Sequence, residues 1–111
     1  MGIENKKIGS LGEEMTCSYL KDRKFVVLEQ NYRNRYAEID VIALKGDTVH
    51  FIEVKTRCSE VAGRASEAVP VSKQNRIRRL AEIYLADNDL CDKNVEFHVV
   101  TIDLHDINYA F

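Results

Sequence analysis

Asp40 and, thirteen residues further on, Glu53-Val54-Lys55 are the residues whose types and spacing could do chemistry in this chain. Two carboxylates brought together offer hard oxygen ligands to Mg²⁺ or Mn²⁺, leaving other coordination positions open to water and a substrate phosphate. A metal held this way would neutralise a phosphodiester, lower the pKa of a bound water and fix the line of attack. Lys55 could hydrogen-bond the attacking water or offset charge on the phosphate oxygens. The ordinary reading of an Asp followed by Glu-x-Lys is a solvated strand face, where alternating charges are common. Against it, two like charges opposed across neighbouring strands cost stability unless a cation lies between them.

Whether they are opposed depends on the elements around them. Ile39 to Leu44 and Val49 to Lys55 are two β-rich runs separated by Lys45-Gly46-Asp47-Thr48, a hairpin signature. A loop of two or four residues centred on Gly46-Asp47 sets Asp40 directly opposite Glu53, with Lys55 on the same face two positions on. A three-residue loop would oppose Asp40 to Ile52 and scatter the three groups.

Upstream, Ile8, Leu11, Met15 and Tyr19 recur at helical spacing and predict an amphipathic helix over about 8–22. Gly9 and Gly12 weaken its first turns, and their use would be a close approach to another element. Phe25 to Leu28 suits a strand, followed by a turn-prone stretch from Gln30 to Arg35. Residues 57–68 have little pattern and read as a loop. Ser72 can cap a second helix with the stripe Ile77, Leu80, Ala81 and Tyr84, ended by Asn88 and Asp89. Val95 to Ile102 predicts a last strand, and Asn108 to Phe111 a short edge. The order is helix, three strands, helix, strand: one α/β domain spanning residues 1–111, with helices covering a mixed sheet.

With 45% hydrophobic and 31% charged residues, the 111-residue chain is suited to one globular domain rather than a disordered or fibrous one. Cys17, Cys58 and Cys91 are odd in number and without a C-x-x-C pair, which argues against a disulfide scaffold or a structural zinc site and fits a reducing cytoplasm. No apolar run suggests a signal peptide or membrane span. The net charge of −2 gives no global pull toward nucleic acid, so any basic surface must be local. Candidates are Lys73 with Arg76, Arg78 and Arg79, and Arg33 and Arg35 with Lys55 and Arg57.

Asp40 with Glu53-Val54-Lys55 resembles the PD-(D/E)xK nuclease signature, with Ile39 where proline would precede the aspartate. Over nearly its whole length the chain is similar to uncharacterised protein family 0102, the YraN-like proteins, a group placed near the Holliday-junction resolvases. The resemblance is carried by Gly9-Ser10-Leu11-Gly12-Glu13, Tyr19-Leu20, Asn31-Tyr32-Arg33, Glu38-Ile39-Asp40, Phe51 to Arg57, Glu67-Ala68-Val69, and Lys73 with Arg76-Ile77. It departs at Thr16, Ala37 and His98, where alanine, glycine and aspartate are usual. The resemblance implies a restriction-endonuclease-like fold of αβββαβ order. It implies that Asp40, Glu53, the Val54 carbonyl and Glu13 are metal ligands and that Lys55 is the catalytic lysine. Periodicity alone leaves Glu13 and Glu14 equivalent.

Glu38 lies two positions from Asp40 and either extends the acidic site or is a sheet-edge acid. Glu67 and Lys73 flank the loop before the second helix and either close over a substrate or are ordinary caps and solvated charges. Arg33, Arg57, Lys73 and Arg76 are the candidates for phosphate contact. Tyr32 and Tyr36 could stack on bases but more simply pack on the core. His50, His98 and His105 have no partner pattern and read as neither bases nor ligands. The leading expectation is a Mg²⁺- or Mn²⁺-dependent DNA endonuclease, with branched DNA as a candidate substrate and a homodimer as a candidate assembly. The alternatives are a nucleic-acid- or partner-binding module of the same fold, and a metal bound for stability alone.

Overall fold

The computed structural model describes residues 2–57 and 69–103, with side chains from residue 9 onward. The elements are α1 (Gly2–Asp22), β1 (Val26–Arg33), β2 (Glu38–Lys45), β3 (Thr48–Arg57), α2 (Val71–Asp87) and β4 (Asn94–Asp103). This is the expected αβββαβ order. The four strands form one sheet in the order β1-β2-β3-β4. β1 and β3 run antiparallel to β2, whereas β4 runs parallel to β3 after the α2 crossover.

Two β2–β3 features fix the register. Lys45 pairs with Thr48 around a two-residue turn, and Gly46 there takes a positive φ of 59° that a side chain would disfavour. Asp47 accepts a 2.8 Å hydrogen bond from the Asn94 N–H, which ties the start of β4 to the hairpin tip.

Each sheet face is covered by one helix. Ile39, Ile42, Val49 and Phe51 pack against Leu80, Ala81 and Tyr84 of α2, the stripe its spacing predicts. Val41, Ala43 and Ile52 pack against Cys17 and Leu20 of α1. Here the apolar spacing misleads: Leu11, Met15 and Tyr19 are exposed, and α1 instead buries the neighbouring stripe of Gly12, Thr16, Cys17 and Leu20. The reason is close packing. A Cβ on Gly12 would lie 1.9 Å from the Thr56 hydroxyl oxygen, so only glycine lets the helix approach β3 this closely. Thr16 tolerates burial because its hydroxyl donates to the Gly12 carbonyl at 2.8 Å.

Other boundaries move for local reasons. β1 continues to Arg33 through the polar stretch expected to turn, because it is a solvated edge strand, with a bulge at Leu28. Pro70, not Ser72, is the N-cap of α2, and no side chain caps it. Asn88 ends the helix as expected, its side-chain amide donating to the Tyr84 carbonyl at 2.9 Å. Residues 58–68, which hold most of the expected loop, and the expected edge at Asn108–Phe111 lie outside the described residues. No helix among the described residues is long and apolar enough to cross a membrane.

Candidate active site

The β2–β3 pairs run from Lys45↔Thr48 to Val41↔Ile52. The pairing ends at Val41↔Ile52; continued one step, the same register would bring Asp40 level with Glu53. There the ladder opens. A regular antiparallel pairing would hand the Val54 N–H to the Ile39 carbonyl, but it donates instead to Asp40 Oδ2 at 2.7 Å. The residues flanking Asp40 also go to opposite faces, Ile39 to the α2 cluster and Val41 to the α1 cluster, although in a regular strand they would share one. Across β1, Asn31 falls level with Asp40 and adopts a left-handed backbone, φ 54°. The sheet is therefore irregular on both sides of Asp40. The hydrogen bond to the Val54 N–H draws the Asp40 carboxylate toward the β3 backbone.

Burial pushes the Asp40 carboxyl up to about 6, opposed by the Val54 hydrogen bond and reinforced by the negative charges of Glu53, Glu13 and Glu38. Four carboxylates from α1, β2 and β3 thus share one electrostatic neighbourhood. Glu13 is there because Gly12 seats α1 against Thr56, whereas Glu14 is exposed. In an extended strand a residue's N–H and C=O point to the same side, so the Val54 carbonyl also faces β2 and Asp40.

Glu53 is nearly buried, its side chain 13% exposed, and its carboxylate forms an ion pair with the Lys73 ammonium of α2. Glu38 and Glu53 line a cavity of about 350 Å³ between the sheet and α2, whose apolar wall includes Phe51, Ile77 and Phe97. Asp40 and Lys55 are not among its lining residues, so the cavity meets the acidic group through Glu38 and Glu53. Lys55 is half-buried two positions beyond Glu53, on the same face and paired in register with Thr101.

The expected phosphate contacts divide. Arg33 lies 3.6 Å from Glu38 across the β1–β2 pair, and Arg57 donates to Asp103 at 2.9 Å across β3–β4. Lys73 is held by Glu53, and Arg76 is exposed on α2. Tyr32 packs edge-on against Tyr84, as a core aromatic would, while Tyr36 is exposed. Glu67 lies outside the described residues.

Sequence reasoning set His50 and His98 aside, yet the structure brings them together with Glu96. His50 Nδ1 lies 2.9 Å from His98 Nε2, and both face Glu96 Oε1. Burial and the neighbouring His98 lower the His50 pKa. The available signal was Glu96-x-His98 on one strand face. Pairing it with His50 needed the parallel β3–β4 register, which no local pattern encodes.

The model of the Uncharacterised protein family UPF0102 matches residues 12–102. A UPF0102 protein of Dictyoglomus turgidum is 46% identical over 102 residues, covering 92% of this chain and 86% of the relative. One from Alkaliphilus oremlandii is 45% identical over 107 residues, covering 95% and 92%. One from Clostridium botulinum is 39% identical over 105 residues, covering 94% and 85%.

Proposed function

The chain belongs to the uncharacterised protein family UPF0102, and from that premise and the geometry above we propose that it is a divalent-metal-dependent DNA endonuclease that hydrolyses phosphodiester bonds, with branched or junction DNA as its preferred substrate. The observation that carries this reading is the gathering of carboxylates around Asp40, which accepts from the Val54 N–H where the β2–β3 pairing ends and lies under the charges of Glu53, Glu13 and Glu38. Carboxylates so placed repel one another, a cost that a cation removes. Their oxygens are hard donors and suit Mg²⁺ or Mn²⁺ better than a softer metal. Asp40, Glu53, the Val54 carbonyl and Glu13 would hold the ion. Once bound, it supplies charge neutralisation for a phosphate and an acidified water.

The chain's own residues do the rest. Asp40 must be deprotonated to serve, and the Val54 N–H fixes which of its oxygens stays free. Lys55, on the Glu53 face, donates a hydrogen bond to the attacking water or to a non-bridging phosphate oxygen. Lys73 neutralises Glu53 in the substrate-free protein and moves to a DNA phosphate, joined by the exposed Arg76.

A second reading has its own support. The Lys73–Glu53 pair already provides a cation for one carboxylate, which suits a nucleic-acid-binding module of this fold without catalysis. The two part on cleavage of a labelled panel of single-stranded, duplex, flapped and four-way-junction DNA with Mg²⁺ or Mn²⁺. The endonuclease predicts metal-dependent product on at least one member, lost in Glu53→Ala. Binding without product, from folded protein, supports the module.

A further inference from the structure

On β3, His50 lies three residues before Glu53 and so projects from the opposite face of the sheet. There it meets Glu96 and His98 of β4, which sit level with His50 and Ile52 in the parallel register. The three facing atoms form a closed triangle: 2.9 Å from His50 Nδ1 to His98 Nε2, 3.2 Å from His98 Nε2 to Glu96 Oε1, and 3.6 Å from Glu96 Oε1 to His50 Nδ1. We propose that His50, Glu96 and His98 form a binding site for a first-row transition-metal ion, Zn²⁺ foremost, clasping the edge strand β4 to β3.

The dimensions carry the assignment. The circle through the three atoms has a radius of about 1.9 Å, so an ion about 2.05 Å from each sits about 0.8 Å above their plane. In a regular tetrahedral site with bonds of that length the ion stands about 0.7 Å above the plane of any three ligands, and in an octahedral one about 1.2 Å. The size of the triangle therefore suits a four-coordinate ion, which would replace the proton now shared between His50 and His98. Two imidazoles and one carboxylate are a donor set that zinc uses with a fourth position left to water, whereas Mg²⁺ prefers oxygen alone.

The surroundings allow entry and rigidity together. The His50 side chain is 12% exposed, with its ring held edge-on by Phe25 at 5.0 Å. Glu96 and His98 are 57% and 41% exposed, so the open side faces solvent. Because β4 pairs on one side only among the described residues, a metal spanning His50 and the Glu96-x-His98 step locks that edge in register. It binds the folded state selectively and so stabilises it.

The test is a Co²⁺ titration of untagged protein in excess Mg²⁺, followed by visible absorption. The expected result is one equivalent of Co²⁺ with the intense bands of a four-coordinate ion, displaced by Zn²⁺. Asp40→Asn should leave those bands unchanged. Glu96→Gln and His98→Gln change exposed side chains and should keep the fold, which circular dichroism checks, and each should weaken Co²⁺ at least roughly tenfold. Bands that persist at full affinity in both variants would overturn the proposal. So would their absence from the wild type, or binding that gives only the weak spectrum of a six-coordinate ion.

Discussion

Asp40→Asn should stabilise the metal-free protein at neutral pH while removing its metal-dependent activity. Burial raises the Asp40 carboxyl from 3.8 to about 6, the Val54 N–H pulls it down, and Glu53, Glu13 and Glu38 push it further up. With the folded pKa above the unfolded one, the native state binds the proton more tightly between those values. Stability therefore falls as pH rises from about 4 to about 6 and is flat above. A shift of about two units is about 3 kcal/mol at face value. The carboxyl is only partly buried, and solvent screening reduces that to about 1–2 kcal/mol. Asparagine removes the charge yet keeps an oxygen to accept the Val54 N–H. The variant should therefore melt roughly 4–8 °C higher at about pH 7.5 in EDTA, with the difference vanishing at about pH 4. Thermal unfolding followed by circular dichroism reads both. A variant less stable than wild type at neutral pH by a similar amount would refute the reasoning, because the charged hydrogen bond to Val54 would then outweigh burial and repulsion.

Lys73→Ala should cost about 1 kcal/mol in EDTA by leaving Glu53 without its cation, a modest figure because the lysine is 43% exposed. Added Mn²⁺ should restore the melting temperature. Gly12→Ala should destabilise by about 1–3 kcal/mol, since its Cβ would overlap the Thr56 hydroxyl. Chemical denaturation of Gly12→Ala with and without Thr56→Ala checks this, and the double variant should recover much of the loss. Because Asp40 protonates near pH 6 without metal, apparent Mg²⁺ affinity should fall about tenfold for each pH unit below that value. Calorimetric titrations at a series of pH values would show it.

The hairpin was legible because Gly46-Asp47 marks the turn and the flanking runs alternate around it, so the β2–β3 register from Lys45↔Thr48 to Val41↔Ile52 followed from local pattern. The α2 stripe was legible for the same kind of reason. The buried face of α1 was not: it contacts the sheet through Gly12, Thr16 and Cys17, small residues that contribute little to an apolar period, while its larger side chains face outward. β1 hid its second half because an edge strand tolerates polar residues. The Val54–Asp40 hydrogen bond accompanies irregularities in two strands at one level, and no spacing rule anticipates it. The ion pairs of Arg33 with Glu38 and of Arg57 with Asp103 were not legible, because strand pairing rather than proximity in sequence sets them.

The most direct test of the proposed chemistry at Asp40, Glu53 and Lys55 is the single-turnover rate of DNA cleavage as a function of Mn²⁺ concentration, on the best substrate of the panel, for wild type, Lys55→Met and Asp40→Asn. The wild-type rate should saturate with metal. Lys55→Met should saturate over the same metal range at a rate lower by roughly 100-fold or more, the scale of removing a transition-state hydrogen-bond donor. Asp40→Asn should show no metal-dependent cleavage. Equal rates in all three proteins would contradict the assignment and place the cleavage outside these residues.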